Sequence, residues 1–189
     1  MKIVALLASP RKQSNSAALA SAFLERAAQL GAQTSAHRLN QLSYRGCQAC
    51  YQCKTKLDIC VLKDDLTPVL ADLALADIWV LAAPIYFGQL AGQLKLAMDR
   101  WFSFLSSDYL TNDRPFRPGP GKQSVWCLTQ GAQAELFDQV FPQYEPFMLR
   151  YGFKANHLLR APGTGPGRQD PIDPARLDEA RALAERLLA

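Results

Sequence analysis

Histidine is scarce in this sequence. His37 and His157 are the only two among 189 residues. Neither takes part in a readable Ser-His-Asp arrangement, and no pair of carboxylates is spaced for acid–base work. Both histidines read as structural or exposed positions in outer strands. Long apolar runs are missing too: no stretch approaches the roughly 18 residues of a membrane span. The opening run from Met1 to Ala8 is short and gives way to Pro10-Arg11-Lys12, which is no secretory signal. No block of five or six basic residues occurs. The formal net charge of +4 comes from 21 basic and 17 acidic residues scattered along the chain. Nucleic acid and membrane are therefore not expected partners, and a local need for positive charge, such as a bound phosphate, fits better. No Gly-x-Gly-x-x-Gly occurs, so a dinucleotide pyrophosphate is not the natural guest, and the Walker lysine pattern is also missing.

Cysteine is modest in number but concentrated. Of five, four fall within residues 47–60. A secreted disulfide framework would spread them, so a cytoplasmic protein with metal or redox chemistry is expected. Cys127, alone in an apolar strand, reads as a small core residue.

The composition, 49% hydrophobic and 20% charged, is that of a globular protein with a proper core, and 189 residues suit one domain spanning 1–189. Apolar runs alternate with amphipathic stretches, the pattern of repeated βα units. Strands are expected at 2–8, 34–39, 78–83, 123–129 and 154–159. The first, third and fourth are nearly continuous apolar runs, as in strands covered on both faces. Helices are expected at 15–30, 65–76, 89–104 and 175–188. A further helix at 133–151 must bend or break at Pro142 or Pro146. Asp64 and Asp65 read as a helix start, and the 101–104 aromatic stripe as core or subunit interface. The segments 106–122 and 162–167, rich in Pro and Gly, read as loops. Five such strands predict an α/β three-layer sandwich with a parallel sheet in the order 2-1-3-4-5. The ligand crevice of that arrangement lies beyond the carboxyl ends of strands 1 and 3.

Three segments sit at those strand ends. Ser9-Pro10-Arg11-Lys12-Gln13-Ser14-Asn15-Ser16 opens the first helix with hydroxyls, an amide and a charge. That set suits a phosphate at a helix N-terminus, or simply a polar loop capping its helix. Pro84-Ile85-Tyr86-Phe87-Gly88 offers a stiff, aromatic wall for a planar ring, unless its aromatics fold into the core. Thr129-Gln130-Gly131 follows the fourth strand, with Gly131 permitting close approach to the backbone.

Taken together these loops, with Lys95-Leu96-Ala97-Met98-Asp99-Arg100 beyond them, resemble the NAD(P)H-dependent FMN reductase family. The resemblance implies a flavodoxin-like fold and non-covalent FMN. By it, Ser9, Arg11, Ser14, Asn15 and Ser16 hold the phosphate. Pro84, Ile85, Tyr86, Phe87 and Gly88 line the isoalloxazine ring, and Thr129, Gln130 and Gly131 close its other side.

Cys47-x2-Cys50-x2-Cys53-x6-Cys60 is a separate motif. Four thiolates so closely spaced can converge on one centre; an iron–sulfur cluster, a zinc ion and ordinary reduced thiols all remain open. The segment resembles the compact cysteine motif of the iron–sulfur flavoproteins, a branch of the same superfamily. The expected activity is transfer of hydride from NAD(P)H through FMN to a quinone, a flavin or another small acceptor, in a homodimer or homotetramer. The alternative is an electron-transfer protein that couples FMN to a cluster on Cys47, Cys50, Cys53 and Cys60.

Overall fold

The computed structural model describes residues 1–164 and 172–189. The sheet begins with β1 (Lys2–Leu7), which leads into α1 (Asn15–Gln29) and then β2 (Gln33–Arg38). A 3-10 turn at Leu39–Gln41 and the short α2 (Gln52–Thr55) precede α3 (Leu66–Leu75). Next come β3 (Ile78–Tyr86), β4 (Gln89–Leu90), α4 (Gly92–Asp99) and a 3-10 helix at Arg100–Phe104. β5 (Gln123–Thr129), α5 (Val140–Arg150), β6 (Ala155–Ala161) and α6 (Pro174–Leu188) complete the chain.

The parallel strands lie in the order β2-β1-β3-β5-β6, which is 2-1-3-4-5 among the five parallel strands, as expected. Alternation along the strands sorts the core into two layers. Val4, Leu6, Trp79, Leu81, Trp126 and Leu128 face one side, against α3, α4 and the 3-10 helix after it. Ile3, Ala5, Ile78, Val80, Val125 and Cys127 face the other, against α1 and α6. Trp101 and Phe104, with Phe116 and Phe153, pack around Trp79, so this part of the aromatic stripe is core. Cys127 is fully buried, and burial pushes its thiol far up from the ordinary range.

Local chemistry sets the ends of α1. Ser14 is its N-cap, with extended backbone and a hydroxyl that accepts from Ala17 N at 3.2 Å. At the other end Gly31 takes φ +89, its N–H bonds to Ala28 O, and Ala32 N bonds to Ala27 O. That 6→1 and 5→2 pairing is a Schellman stop, which a left-handed glycine makes cheap. α6 starts with Pro174 at its first position behind Asp173, whose carboxylate accepts from Ala175 N at 3.0 Å.

Three expectations are corrected. The helix at 89–104 is three elements. Gln89–Leu90 pair antiparallel with the end of β3, α4 spans only Gly92–Asp99, and the chain tightens to 3-10 at Arg100–Phe104. The helix at 133–151 starts only at Val140. Residues before it are turns, and Pro142 falls in the first turn, where a missing N–H costs nothing. β3 runs three residues past the expected end, to Tyr86, carrying Pro84 and Ile85 with it. Of the loop expected at 162–167, residues 165–167 lie outside the described residues.

Candidate active site

Parallel pairing brings the carboxyl ends of β1, β3 and β5 to one edge. Leu7 lies opposite Ala82, Pro84 opposite Thr129, and Ala8 N donates to Ala82 O at 2.8 Å. The three loops singled out in the sequence therefore open on the same crevice, at the point where the strand order reverses.

The loop after β1 is a polar cradle. Ser9 Oγ accepts from Arg11 N at 3.3 Å, and Ser14 Oγ lies 3.5 Å from Ser16 Oγ. Ser16 is buried, while Arg11 is exposed and makes no ion pair among the described residues. α1 has no acidic side chain in its first turn. Two adjacent hydroxyls, an open guanidinium and an uncontested helix N-terminus fit a phosphate dianion. The extension of β2 braces this loop: Arg38 donates to Lys12 O at 3.0 Å and Asn40 to Pro10 O at 3.5 Å.

The segment after β3 is a tight hairpin. Ile85 pairs with Leu90 and Tyr86 with Gln89, so Phe87 and Gly88 are the two turn residues. Both have positive φ, +49 and +70, the signature of a type I′ turn. Gly88 suits that position; Phe87 does not, and a bulky residue held there carries about 1–3 kcal/mol of strain. The Phe87 side chain is fully exposed, Tyr86 is exposed, and Ile85 is buried. A Cβ on Gly88 would sit 3.4 Å from the Phe137 ring, so the hairpin leans on the loop after β5.

That loop is organised by Gln130, which the sequence presents only as a weak ligand contact. Its side chain is buried and occupied. Nε2 donates to Gln133 O and Leu136 O, both at 2.6 Å, while Oε1 accepts from Arg160 Nε at 3.1 Å and Nη2 at 2.7 Å. Thr164 N and Oγ1 both donate to Gln130 O, at 2.9 and 3.1 Å. The side chain of Gln130 thus shapes the crevice wall from behind. Thr129 is buried and Gly131 exposed beside it. Arg160 and Phe137 escaped sequence reasoning, since one strand arginine and one loop phenylalanine carry no local pattern.

The cysteine segment leaves β2 at the same edge. Tyr44 donates to Gln93 O at 2.5 Å, and Asp65 accepts from Ser43 N at 2.7 Å. Cys47, Cys50, Cys53 and Cys60 all line one cavity of about 350 Å3, with Arg100, Phe102 and Ser103 in its wall. Cys47 and Cys50 are exposed, Cys53 is buried and Cys60 half-buried. Ala49 and Tyr51 take positive φ on either side of Cys50, which wraps the chain around the cavity. Among the described residues no three Cys, His, Asp or Glu side chains are gathered tightly enough for a metal ion. Four thiols around one cavity are the donor chemistry of a thiolate-bound centre, zinc or iron–sulfur.

Asp64 does more than start a helix. It accepts from Leu66 N at 3.2 Å and also from Arg100 Nη1 at 2.8 Å and Nη2 at 3.3 Å. Burial pushes its carboxyl up, but the Arg100 and backbone hydrogen bonds outweigh this and hold it below the usual range. In the Lys95-to-Arg100 motif, Lys95 and Asp99 form an i,i+4 pair at 2.5 Å, and Arg100 turns inward.

An open, doubly wound α/β sheet with a polar loop and an aromatic hairpin at its switch point defines a flavodoxin-like protein. The chain belongs to the NADPH-dependent FMN reductase family, whose pattern it matches over residues 1–133. An iron–sulfur flavoprotein of Methanosarcina thermophila is 35% identical over 100 residues, 53% of this chain and 52% of that protein. One from Archaeoglobus fulgidus is 32% identical over 118 residues, 62% of this chain and 57% of that protein. The chain thus spans about half the length of the curated relatives it matches. Among solved structures, NAD(P)H:quinone oxidoreductase from Methanothermobacter marburgensis superposes with a TM-score of 0.77 at 20% identity, over 99% of this chain and 96% of that one. An FMN-dependent NADH-azoreductase from Bacillus anthracis, in complex with FMN, gives 0.75 at 16% identity, over all of both chains. These structures share the fold. Among the described residues no helix is long and apolar enough to cross a membrane.

Proposed function

We propose that this chain is one FMN-binding domain that takes reducing equivalents from NAD(P)H and delivers them to a quinone, a flavin or a related small acceptor. The observation that carries this reading is the pairing, at one crevice, of the hydroxyl cradle at α1 with the strained aromatic hairpin at Phe87. Ser9, Arg11, Ser14, Asn15 and Ser16 would bind the phosphate. Pro84, Ile85, Tyr86, Phe87 and Gly88 would border the ring, with Thr129 and Gly131 across from them and Gln130 holding that wall in place. FMN bound there supplies two-electron redox chemistry, so the protein needs no catalytic acid–base pair of its own. The side chains orient the ring and keep water from its buried edge. The exposed Tyr86 and Phe87 leave one side of the crevice open to nicotinamide and acceptor in turn. The cysteine usage supports a cytoplasmic setting, and the exposed aromatic hairpin supports a homodimer or homotetramer.

The test is a titration of flavin-free protein with FMN, followed by NAD(P)H oxidation with and without a quinone. Saturable FMN binding and acceptor-dependent turnover are expected. A folded protein that binds neither FMN nor riboflavin overturns the reading.

A second reading is favoured by one specific observation: four cysteines line a single cavity. In it Cys47, Cys50, Cys53 and Cys60 hold an iron–sulfur cluster and the chain passes electrons to a redox partner. Anaerobic preparation with iron and acid-labile sulfide assays tests this. Replacing Cys50 by Ala should remove the iron and leave FMN in place.

A further inference from the structure

The wall of the four-cysteine cavity holds one cation, Arg100, and a second, Lys54, lies beside the sulfur of Cys53, which lines it. Arg100 is paired with Asp64 at 2.8 Å, and Arg117 with Asp58 at 2.9 Å. Asp99, also in the wall, is taken by Lys95. Lys54 has no carboxylate partner among the described residues. Its ammonium donates to the carbonyls of Phe102 and Leu105, the latter at 2.7 Å, and lies 3.7 Å from Cys53 Sγ and 4.1 Å from the Phe102 ring centre. Two carbonyls and an aromatic face thus fix the ammonium beside the Cys53 sulfur.

Arg100 points the same way. Its side chain is fully buried, and both Nη atoms are engaged, by Asp64 and by the carbonyls of Arg45 and Leu62. Its Nε is buried with no hydrogen-bond partner. A charged donor left unpaired away from water costs more than a neutral one. Cys60 lines the same cavity as this guanidinium. Two features therefore meet at the cysteines: an ammonium without a carboxylate partner among the described residues, beside Cys53, and an unused N–H on Arg100 in the wall.

We propose that Lys54 and Arg100 form a cationic cradle for a thiolate-bound centre in this cavity, with Lys54 as its counter-charge. This rests on the second reading above and adds what that reading lacks, the residues that neutralise the centre. Four thiolates bring their negative charge into one half-buried cavity, and each electron added deepens it. A fixed cation 3.7 Å from one sulfur stabilises the more negative state most, and so raises the midpoint potential. Lys54 and Arg100 are positioning residues. The ligands are the cysteines.

The experiment uses the full chain, reconstituted anaerobically with ferrous iron and sulfide, as parent, Lys54→Met, Lys54→Arg and Arg100→Lys. Iron and sulfide content, midpoint potential and FMN content are read for each. The parent should take up iron and sulfide. In Lys54→Met the potential should fall by at least the roughly 59 mV that corresponds to a tenfold change in a one-electron equilibrium. Lys54→Arg should restore most of it, because charge and not shape is at issue. Arg100→Lys keeps the charge but loses the Nε–H, and should lower cluster retention while FMN stays bound. A parent that assembles no cluster sinks the second reading and this proposal with it. A parent that loads normally, with Lys54→Met equal to it in potential and content, sinks the cradle alone. Should Lys54→Met fail to fold, a Lys54→Arg protein with a potential displaced as far as that of a Lys54→Gln protein overturns the charge argument.

Discussion

Arg160 on β6 donates twice to one oxygen, Gln130 Oε1, at 3.1 and 2.7 Å, and its Nη2 also reaches Leu136 O at 2.6 Å. These bonds tie the end of β5 to the turn that carries Phe137. Replacing Arg160 by Met leaves two acceptors without that donor. A loss of about 1–3 kcal/mol in unfolding free energy is expected, with faster amide exchange across residues 131–137. FMN and riboflavin should weaken equally, because the wall moves and the phosphate cradle does not. A discriminating loss, with only FMN affected, would contradict this assignment.

Arg11 gives the opposite signature. It is exposed at the cradle and makes no ion pair among the described residues, so Arg11→Ala should leave folding nearly unchanged. A hydrogen bond to a charged group is worth about 1.5–3 kcal/mol, so FMN affinity should fall about tenfold to a hundredfold. Riboflavin, which lacks the phosphate, should be little affected. Ser14→Ala should show the same preference, combined with about 1 kcal/mol lost from the helix cap. Isothermal titration with both flavins checks the pair.

Phe87 is held at φ +49 in a turn where Asn-Gly is the natural choice. Phe87→Asn should raise unfolding free energy by about 1 kcal/mol, by relieving the left-handed backbone. It should also alter the spectrum or the NAD(P)H reduction rate of bound flavin, since an exposed ring at the crevice mouth is removed. Stability gained at the expense of function would mark the strain as functional. An unchanged spectrum and rate would mean that the ring lies elsewhere.

Acid stability should depend on Asp72. Burial pushes its carboxyl up, but hydrogen bonds from Lys2, His37 and Ser35 outweigh that and hold it at about 2, against 3.8 ordinarily. A depressed carboxylate stabilises the fold at pH values above its unfolded pKa. The contribution is lost as pH falls through the folded value, here between about pH 4 and pH 2. At 1.36 kcal/mol per unit, the gap from 3.8 to about 2 corresponds to ~2 kcal/mol at neutral pH. Urea unfolding of Asp72→Asn should show that loss at pH 7 and a shrinking difference from the parent towards pH 2. A constant difference across that range would remove Asp72 from the acid transition.

The sheet, its strand order and the edge at which the crevice opens were readable from residue order alone. Apolar runs at β1, β3 and β5 cannot sit anywhere except between two helical layers, and Ser14 and Gly31 mark the ends of α1 by local chemistry alone. The polar loop at the start of α1 was legible for the same reason: its residues are neighbours along the chain. Pro142 and Pro146 pointed to a break within residues 133–151, yet both lie inside α5, and the helix is cut short upstream of them at Val140. Only the tertiary structure decided the features made by residues far apart in sequence. The hairpin at Phe87 exists because Gln89 and Leu90 pair back onto β3 where a helical pattern would have continued. Gln130 became a scaffold because Arg160, thirty residues away, reaches its oxygen. The cysteine spacing said that four sulfurs share a region. That they ring a cavity with Lys54 and Arg100 in attendance follows from the 3-10 helix at Arg100–Phe104, which brings one cation and the carbonyl that holds the other to the same wall. Such contacts are set by which surfaces the sheet and helices bury together, and no local pattern of residue types records them.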